Sequence, residues 1–331
     1  SLVCSAGYFF VDTTARKIYL YSGKIEEVSK NGMSKWFEQN LKFGLEPYGL
    51  LPPDTPSDFI GVHSGYDSFN QRILLTKLDV VPTELFINLL AQFSPADSIR
   101  YDEVTNTFIL TTIEEGETTL KYSDTLYFTP SNWTISYSIE KKAWISFHDY
   151  TPNIYIRDLN TFKSAYQSTI WNHDDKKLIG NDYYRLNKSE FIVEFVEHAK
   201  SQDFYTPSFE LISTCLNQQG GKELLETFNT FVVYNSFQSS GEEDLVHLDT
   251  ARALRDTWVV NGFRDLVADP SVRIINEDLS INTSNIDANT AWHKRRKFID
   301  NDVVIRLIYD NSNNNLLFLH STHANIKKSY R

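Results

Sequence analysis

One spacing recurs along the chain and restricts its fold more than any other feature. Six residues after the Asp of Tyr66-Asp67 come Ile73, Leu74 and Leu75. Val11-Asp12 leads by the same step to Ile18, Tyr19 and Leu20, and Tyr101-Asp102 leads to Phe108, Ile109 and Leu110. Tyr309-Asp310 leads to Leu316, Leu317 and Phe318, and Tyr137-Ser138 leads to Trp144 and Ile145 with Ser in the Asp position. A spacing that recurs in this way marks a repeated supersecondary unit.

The chemistry of each unit is that of a β-hairpin. An aromatic or β-branched residue ends the first strand, where a pleated, half-buried surface favours it. The Asp or Ser oxygen can accept a hydrogen bond from a backbone N–H two residues on and so close the turn. The tips TTAR, SFNQ, EVTN, IEKK and NSNN are mostly polar, and an apolar strand follows each of them. Five hairpins with four- or five-residue loops are therefore expected.

Between these units the period changes twice. In 31–41, Met33, Trp36, Phe37 and Leu41 fall on one helical face,. In 82–93, Leu85, Leu89 and Phe93 repeat at helical spacing, and Pro82 stands where a first helical residue would,. The stretch 47–58 reads as a Pro-rich loop and 280–290 as a polar loop. Phe191, Val193 and Phe195 alternate, so 190–199 reads as a strand, as do SFELISTCL and FNTFVVYNSFQ,. Residues 242–256 read as a loop with a helical turn.

The expected fold is thus all-β, mainly antiparallel hairpins in a β-propeller-like arrangement, with a few short helices in inserted loops. Propeller-like hairpin repeats are expected over 1–160 and a less regular β-rich region over 161–300. A closing hairpin over 301–331 would pack back toward the N-terminal blades. The distance from Ser138 to Asp310 matches about four blades of ~40–45 residues. Phe and Tyr are abundant, at 22 and 18 copies against a single Met, which suits cross-strand pairing,.

The 331 residues can bury a large core and include no apolar run long enough for a transmembrane helix,. The start, SLVCSAGYFFV, lacks the basic n-region and long apolar core of a signal peptide,. It begins at Ser, as a fragment or processed product would. Cys4 and Cys215 are too few for a disulfide framework and read as buried free thiols,. A net charge of −11 argues against binding nucleic acid as a primary role,. The one basic cluster, His293-Lys294-Arg295-Arg296-Lys297, reads as a solvated face.

Patterns that carry chemistry are weak. Of eight histidines, only His320 and His323 are close neighbours, and no CxxC occurs, so a zinc site is not expected,. DNSNNN lacks the central Gly of a calcium loop, and its twelfth position is Ser321 instead of Glu,. Gly220-Gly221 has no GK[ST] ending and reads as a loop,. The most site-like local group is Trp171 with His173, Asp174 and Asp175, which reads as an exposed turn. No catalytic, cofactor-binding or metal-binding residue is assigned, and no enzymatic activity is expected.

Several stretches carry a resemblance to a known family. GYFFVDTTARKIYLYSGKIEEVSKNGMSKWFEQNL, GYDSFNQRILLTKLD, WTISYSIEKKAWISFHDYTPNIYI, FNTFVVYNSFQSSGE and VVIRLIYDNSNNNLLFL are spread over most of the sequence. Together they resemble the C-terminal part of the tail muzzle (nozzle) proteins of crAss-like bacteriophages. The SYR ending also looks like a natural C-terminus. The resemblance implies a non-enzymatic virion protein at the distal end of a short phage tail. It implies a homo-oligomeric ring, expected to be a hexamer, that contacts other tail proteins and needs no cofactor. Genomic DNA would pass through without specific binding. The net charge of −11 would either give that passage an acidic wall or only keep the protein soluble, with Glu242, Glu243 and Asp244 facing a lumen in the first case and bulk solvent in the second,. The competing class is a carbohydrate-binding or carbohydrate-cleaving propeller, with Trp133, Trp144 and Trp171 as stacking platforms.

Overall fold

The computed structural model describes every residue except 51–59, 94–97, 103–104, 106, 113–115, 158–160, 174–181, 185–186, 189, 199–202, 246–250, 255, 277–280 and 329–331. Strands dominate, all of the sheet pairing is antiparallel, and the described residues contain two α-helices. The chain divides into two compact units, Ser1–Asp175 and Lys176–Arg331.

The first unit opens with a four-stranded meander of β1 (Leu2–Cys4), β2 (Gly7–Asp12), β3 (Lys17–Tyr21) and β4 (Ile25–Glu27). Helix α1 (Ser34–Asn40) follows on the expected spacing, with Phe37 and Leu41 fully buried. β5 (Gly61–Asp67) and β6 (Arg72–Leu78) form a hairpin, and β7 (Val80–Pro82) leads into helix α2 (Glu84–Ala91). Next come β8 (Ser98–Asp102), β9 (Thr107–Thr112) and β10 (Gly116–Lys121) as a three-stranded meander. β11 (Phe128–Pro130) returns to pair with β7. β12 (Trp133–Ser138) and β13 (Ala143–His148) then dock on the earlier hairpin, which gives the order β13-β12-β6-β5. β14 (Ile154–Arg157), β15 (Phe162–Tyr166) and β16 (Thr169–Asn172) form a last small sheet.

Strand alternation sends Phe9 and Ile18 of the first sheet, and Ile73, Leu75, Ile135 and Tyr137 of the second, into one core with α1,. A second core joins Phe86 of α2 to Phe108, Leu110 and Phe128.

The second unit contains a short pair, β17 (Asp182–Tyr183) and β18 (Asn187–Lys188), and two larger sheets. Its other strands are β19 (Phe191–His198), β20 (Phe204–Leu216), β21 (Lys222–Glu223), β22 (Thr230–Tyr234), β23 (Glu243–Asp244), β24 (Ala251–Leu254), β25 (Thr257–Asn261), β26 (Ile299–Asp300), β27 (Asp302–Tyr309) and β28 (Leu316–Lys328). One sheet runs β19-β27-β22-β23, and the other is built around β20. Phe209, Leu211 and Val260 from the second sheet share a core with Phe231, Ile305 and Leu307 from the first. Phe209 meets Phe231 edge-on, with ring centroids 5.3 Å apart. This is a two-sheet sandwich.

The recurrent spacing is a recurrent turn. Asp12 pairs with Lys17, Asp67 with Arg72, Asp102 with Thr107 and Ser138 with Ala143, so four loops of one length have one register. The side-chain oxygen accepts from backbone N–H groups two or three residues on. Asp12 accepts from Ala15 (2.8 Å), Asp67 from Phe69 (3.1 Å) and Asn70 (3.2 Å), and Ser138 from Lys141 (3.1 Å). The last loop residue is left-handed at Arg16, Gln71 and Lys142, with φ of 56°, 50° and 50°.

The fifth occurrence keeps the Asp bond and the left-handed fourth position, adds a left-handed Asn311 (φ 48°), and makes no hairpin. Asp310 accepts from Ser312 N–H at 2.9 Å, and Asn314 is left-handed at φ 58°. However, β27 pairs with β19 and β22, whereas β28 pairs with β20. The turn carries the chain from one sheet of the sandwich to the other. Turn chemistry is local, and it does not decide which sheet the departing strand joins.

Other expectations need correction. The strand order departs from propeller blades after the β1–β4 meander, because two hairpins remote in sequence build the second sheet. A division at 160 would cut the sheet in which β14 pairs with β15. The segment 301–331 is not a hairpin, and its strands pair inside the second unit. Pro82 is the last residue of β7, and Thr83 caps α2 by accepting from Phe86 N–H at 3.5 Å,. The buried residue of α2 is Phe86, while Leu85 is exposed. Within 242–256, the run Ala251–Leu254 is a strand, paired with β25. Much of the Pro-rich loop lies outside the described residues.

Candidate functional site

The polar side chains richest in chemistry lie between two sheets of the first unit. Register places His63, Thr76, Thr134 and His148 in one row across β5, β6, β12 and β13. Tyr155 of β14 lies over this face. Its ring fills the space above Gly65, where an added Cβ would stand 2.5 Å from the ring. Its hydroxyl bonds Thr76 at 2.6 Å, Thr76 bonds Thr134 at 2.8 Å, and Thr134 donates to the Tyr150 carbonyl at 2.6 Å.

Two Ser–His pairs complete the layer. His148 Nε2 is 3.0 Å from Ser136 Oγ, and His173 Nε2 is 2.7 Å from Ser164 Oγ. The Tyr150 ring lies between the imidazoles, at 5.2 Å from His148 and 5.0 Å from His173. His173 also donates its backbone N–H to Phe162 O at 2.8 Å and packs on the Phe162 ring. His173, expected on an exposed turn, is therefore folded into the layer. Asp174 and Asp175 lie outside the described residues.

A hydroxyl beside an imidazole is the start of a nucleophile–base pair, which also needs substrate access and a third group to orient the base. Ser136 and Ser164 are fully buried. Burial, then the nearby charges of Arg72 and His173, holds the His148 imidazole down at about 4, so it is neutral at pH 7,. The arrangement gives the Ser136, Ser164, Thr76 and Thr134 hydroxyls partners and ties the two sheets together,.

The remaining candidates are equally occupied. His320 bonds Thr214 at 2.9 Å, and His323 stands opposite Glu210. Among the described residues, no group of three or more His, Cys, Asp or Glu side chains converges as metal ligands would. Gly220-Gly221 is the loop between β20 and β21, where Asn217 Oδ1 accepts from Gly221 N–H at 2.8 Å. Cys4 and Cys215 are buried and free. The basic cluster is a solvent-exposed face, with His293, Lys294, Arg296 and Lys297 exposed, and three of its side chains have partners. Arg296 pairs with buried Asp265 at 2.6 Å, Arg295 donates to the carbonyls of Thr290 and Ala288, and Lys297 sits over the Tyr205 ring.

Trp133 and Trp144 pack against the α1 core and donate their indole N–H groups to the carbonyls of Asn40 and Val28. Trp171 lies on β16, opposite Ser164. No helix among the described residues is long and apolar enough to cross a membrane. No protein-family model matches the chain, and no curated protein matches it.

Two polar constellations escaped sequence reasoning. Lys77 and Asp79 form a buried ion pair, and Glu226 accepts from Tyr309 Oη and Asn315 Nδ2 at 2.7 Å each. The first had a usable signal, since Lys77 and Asp79 are two residues apart in an extended run, and alternate residues of extended chain share a face,. The second joins residues remote in sequence and had none.

Proposed function

We propose that this chain is a structural virion component, a self-assembling part of a short phage tail of the muzzle (nozzle) type. It would work through contacts with copies of itself and with neighbouring tail proteins. The resemblance of its sequence to that family suggests the setting. The observation that carries the structural reading is the sealed Ser164–His173 pair, whose geometry suits chemistry but whose hydroxyl no substrate reaches. Among the described residues, the Ser136–His148 and Ser164–His173 pairs link neighbouring strands, which suits a structural component. The glycan reading loses two platforms, because Trp133 and Trp144 are built into a core.

The test is electron microscopy of the full-length protein together with a glycosidase and glycan-array screen. Rings with no sugar activity are expected. Monomeric particles that bind or cleave a glycan would overturn the proposal.

A further inference from the structure

Strand β28 stands at the edge of its sheet, paired with β20 and with no other described strand. A bare edge presents a row of unpaired backbone N–H and C=O groups, which folded proteins blunt with short strands, charged side chains or proline. The other outer strands of the sandwich follow that rule: β23 has two residues, β24 has four, and β19 carries Glu194 and Glu197. β28 has thirteen residues, and from Leu316 to Ile326 none is Asp, Glu, Lys, Arg or Pro. Phe318 and Ile326 are 47% and 46% exposed. Leu317, Leu319 and Ala324 pack on the core yet stay only partly buried, as the last row of an unfinished sheet would. We infer that the free edge of β28 receives an extended, acidic segment of another protein as an added strand.

The edge itself selects the occupant's conformation. A row of backbone amides is paired by another extended chain, and alternate apolar residues on that chain would lie beside Leu317, Leu319 and Ala324 and complete their cover,. The shape of the edge favours a free segment over a second copy. The pairing of β28 with β20 slips register between Ile212 and Ser213 and again between Tyr205 and Ser208, so the edge is bulged,. A free segment follows such a bend, whereas the edge of a preformed sheet does not.

Charge sets the partner's sign. In a chain of net charge −11, β28 has no acidic residue and ends in Lys327 and Lys328, with Lys327 exposed. Carboxylates of the same sheet stand behind the edge. Glu210 on β20 accepts from Asn325 at 3.3 Å, Asp203 precedes β20, and Asp300 lies across β20 from Lys328, with Lys297 nearby over the Tyr205 ring. The edge therefore offers lysines alone, and carboxylates at one end of the incoming segment would meet them and set its register. The inference rests on the geometry of the second unit and goes beyond the assembly reading, which would survive its failure.

The experiment is fluorescence anisotropy of the full chain with a labelled peptide of about twelve residues, alternating valine and threonine. Two glutamates form its N-terminus, which an antiparallel strand brings to Lys327. One control peptide carries two lysines there instead, and another is N-methylated throughout. The acidic peptide is expected to bind at micromolar concentration, the lysine peptide about tenfold more weakly, and the methylated peptide not at all. Lys327→Glu/Lys328→Glu should reverse the order of the first two, with circular dichroism and Tm confirming that it folds. Equal binding of the acidic and lysine peptides, binding of the methylated one, or no binding at millimolar concentration would overturn the inference. Self-association in sedimentation velocity that Phe318→Lys abolishes would assign the edge to a second copy instead.

Discussion

The Lys77 ammonium meets the Asp79 carboxylate at 2.5 Å, with both side chains almost fully buried. Lys77 also donates to the Lys42 carbonyl at 2.7 Å, and Asp79 accepts from the N–H groups of Gly44 (3.0 Å) and Val80 (2.8 Å). Desolvation opposes both charges, lowering the Lys77 pKa and raising that of Asp79, and the pair offsets it. Breaking a buried pair costs more than replacing it. Asp79→Ala should destabilise the first unit by about 3–5 kcal/mol, and Lys77→Met/Asp79→Leu by clearly less. Urea unfolding of the single and double variants measures the difference.

The equivalent turns should not be equally important. Asp67 is fully buried and accepts from Phe69 N–H, from the N–H and side-chain amide of Asn70, and from Arg72 Nε. Asp12 accepts from Ala15 N–H at an exposed tip. Asp67→Ala is expected to cost roughly 2–4 kcal/mol and Asp12→Ala about 0.5–1. Thermal unfolding of both variants ranks them.

His148 should make stability pH-dependent. Its pKa falls from 6.5 unfolded to about 4 folded. The unfolded chain therefore binds the extra proton between those values. The contribution is complete above pH 6.5 and is lost as pH falls toward 4, and over that range it is on the order of 3 kcal/mol. The difference in unfolding free energy between wild type and His148→Gln, measured from pH 7 to pH 4, should shrink by that amount.

Cys215 is expected to be inert in the folded protein. Burial, and then the Glu226 charge, pushes its thiol up to about 11. At pH 8 the thiolate is then about one part in a thousand. Native protein should resist iodoacetamide at Cys215, and urea should release the reaction. Mass spectrometry of the alkylated peptides reads both states.

Arg296 should matter for folding rather than for DNA. Arg296→Ala leaves the buried Asp265 carboxylate without its cation and should cost roughly 1–2 kcal/mol, discounted because the arginine is part-exposed,. Duplex DNA binding is expected to be weak in wild type and unchanged in the variant. A salt titration of DNA affinity checks both.

How much of this was legible depends on how local each signal was. The turns were readable because Asp12, Asp67 and Ser138 act on backbone two or three residues away. The switch of sheets after Tyr309 was not, since Asp310 makes the same local bond as the hairpin residues. Helix α2 was legible as a helix, but Pro82 drew attention from Thr83, whose hydroxyl makes the cap. His173 stood out in sequence, yet its partner Ser164 is set by the pairing of β15 with β16, which no spacing announces.

The order β13-β12-β6-β5 also sets a schedule for folding. β6 and β12 are neighbours in the sheet but are separated along the chain by everything from Asp79 to Asn132. Closing a floppy loop of roughly 50 residues costs about 3.5 kcal/mol of chain entropy before the first ladder bond returns anything. The β7–β11 stem cuts that cost, because Val80 pairs with Pro130 and Ser131 N–H reaches Asp79 O at 2.8 Å. Once the segment has zipped up its own stem, β12 arrives beside β6 already in register. Refolding of the first unit is then expected to wait on the inserted segment, with the large sheet forming after it.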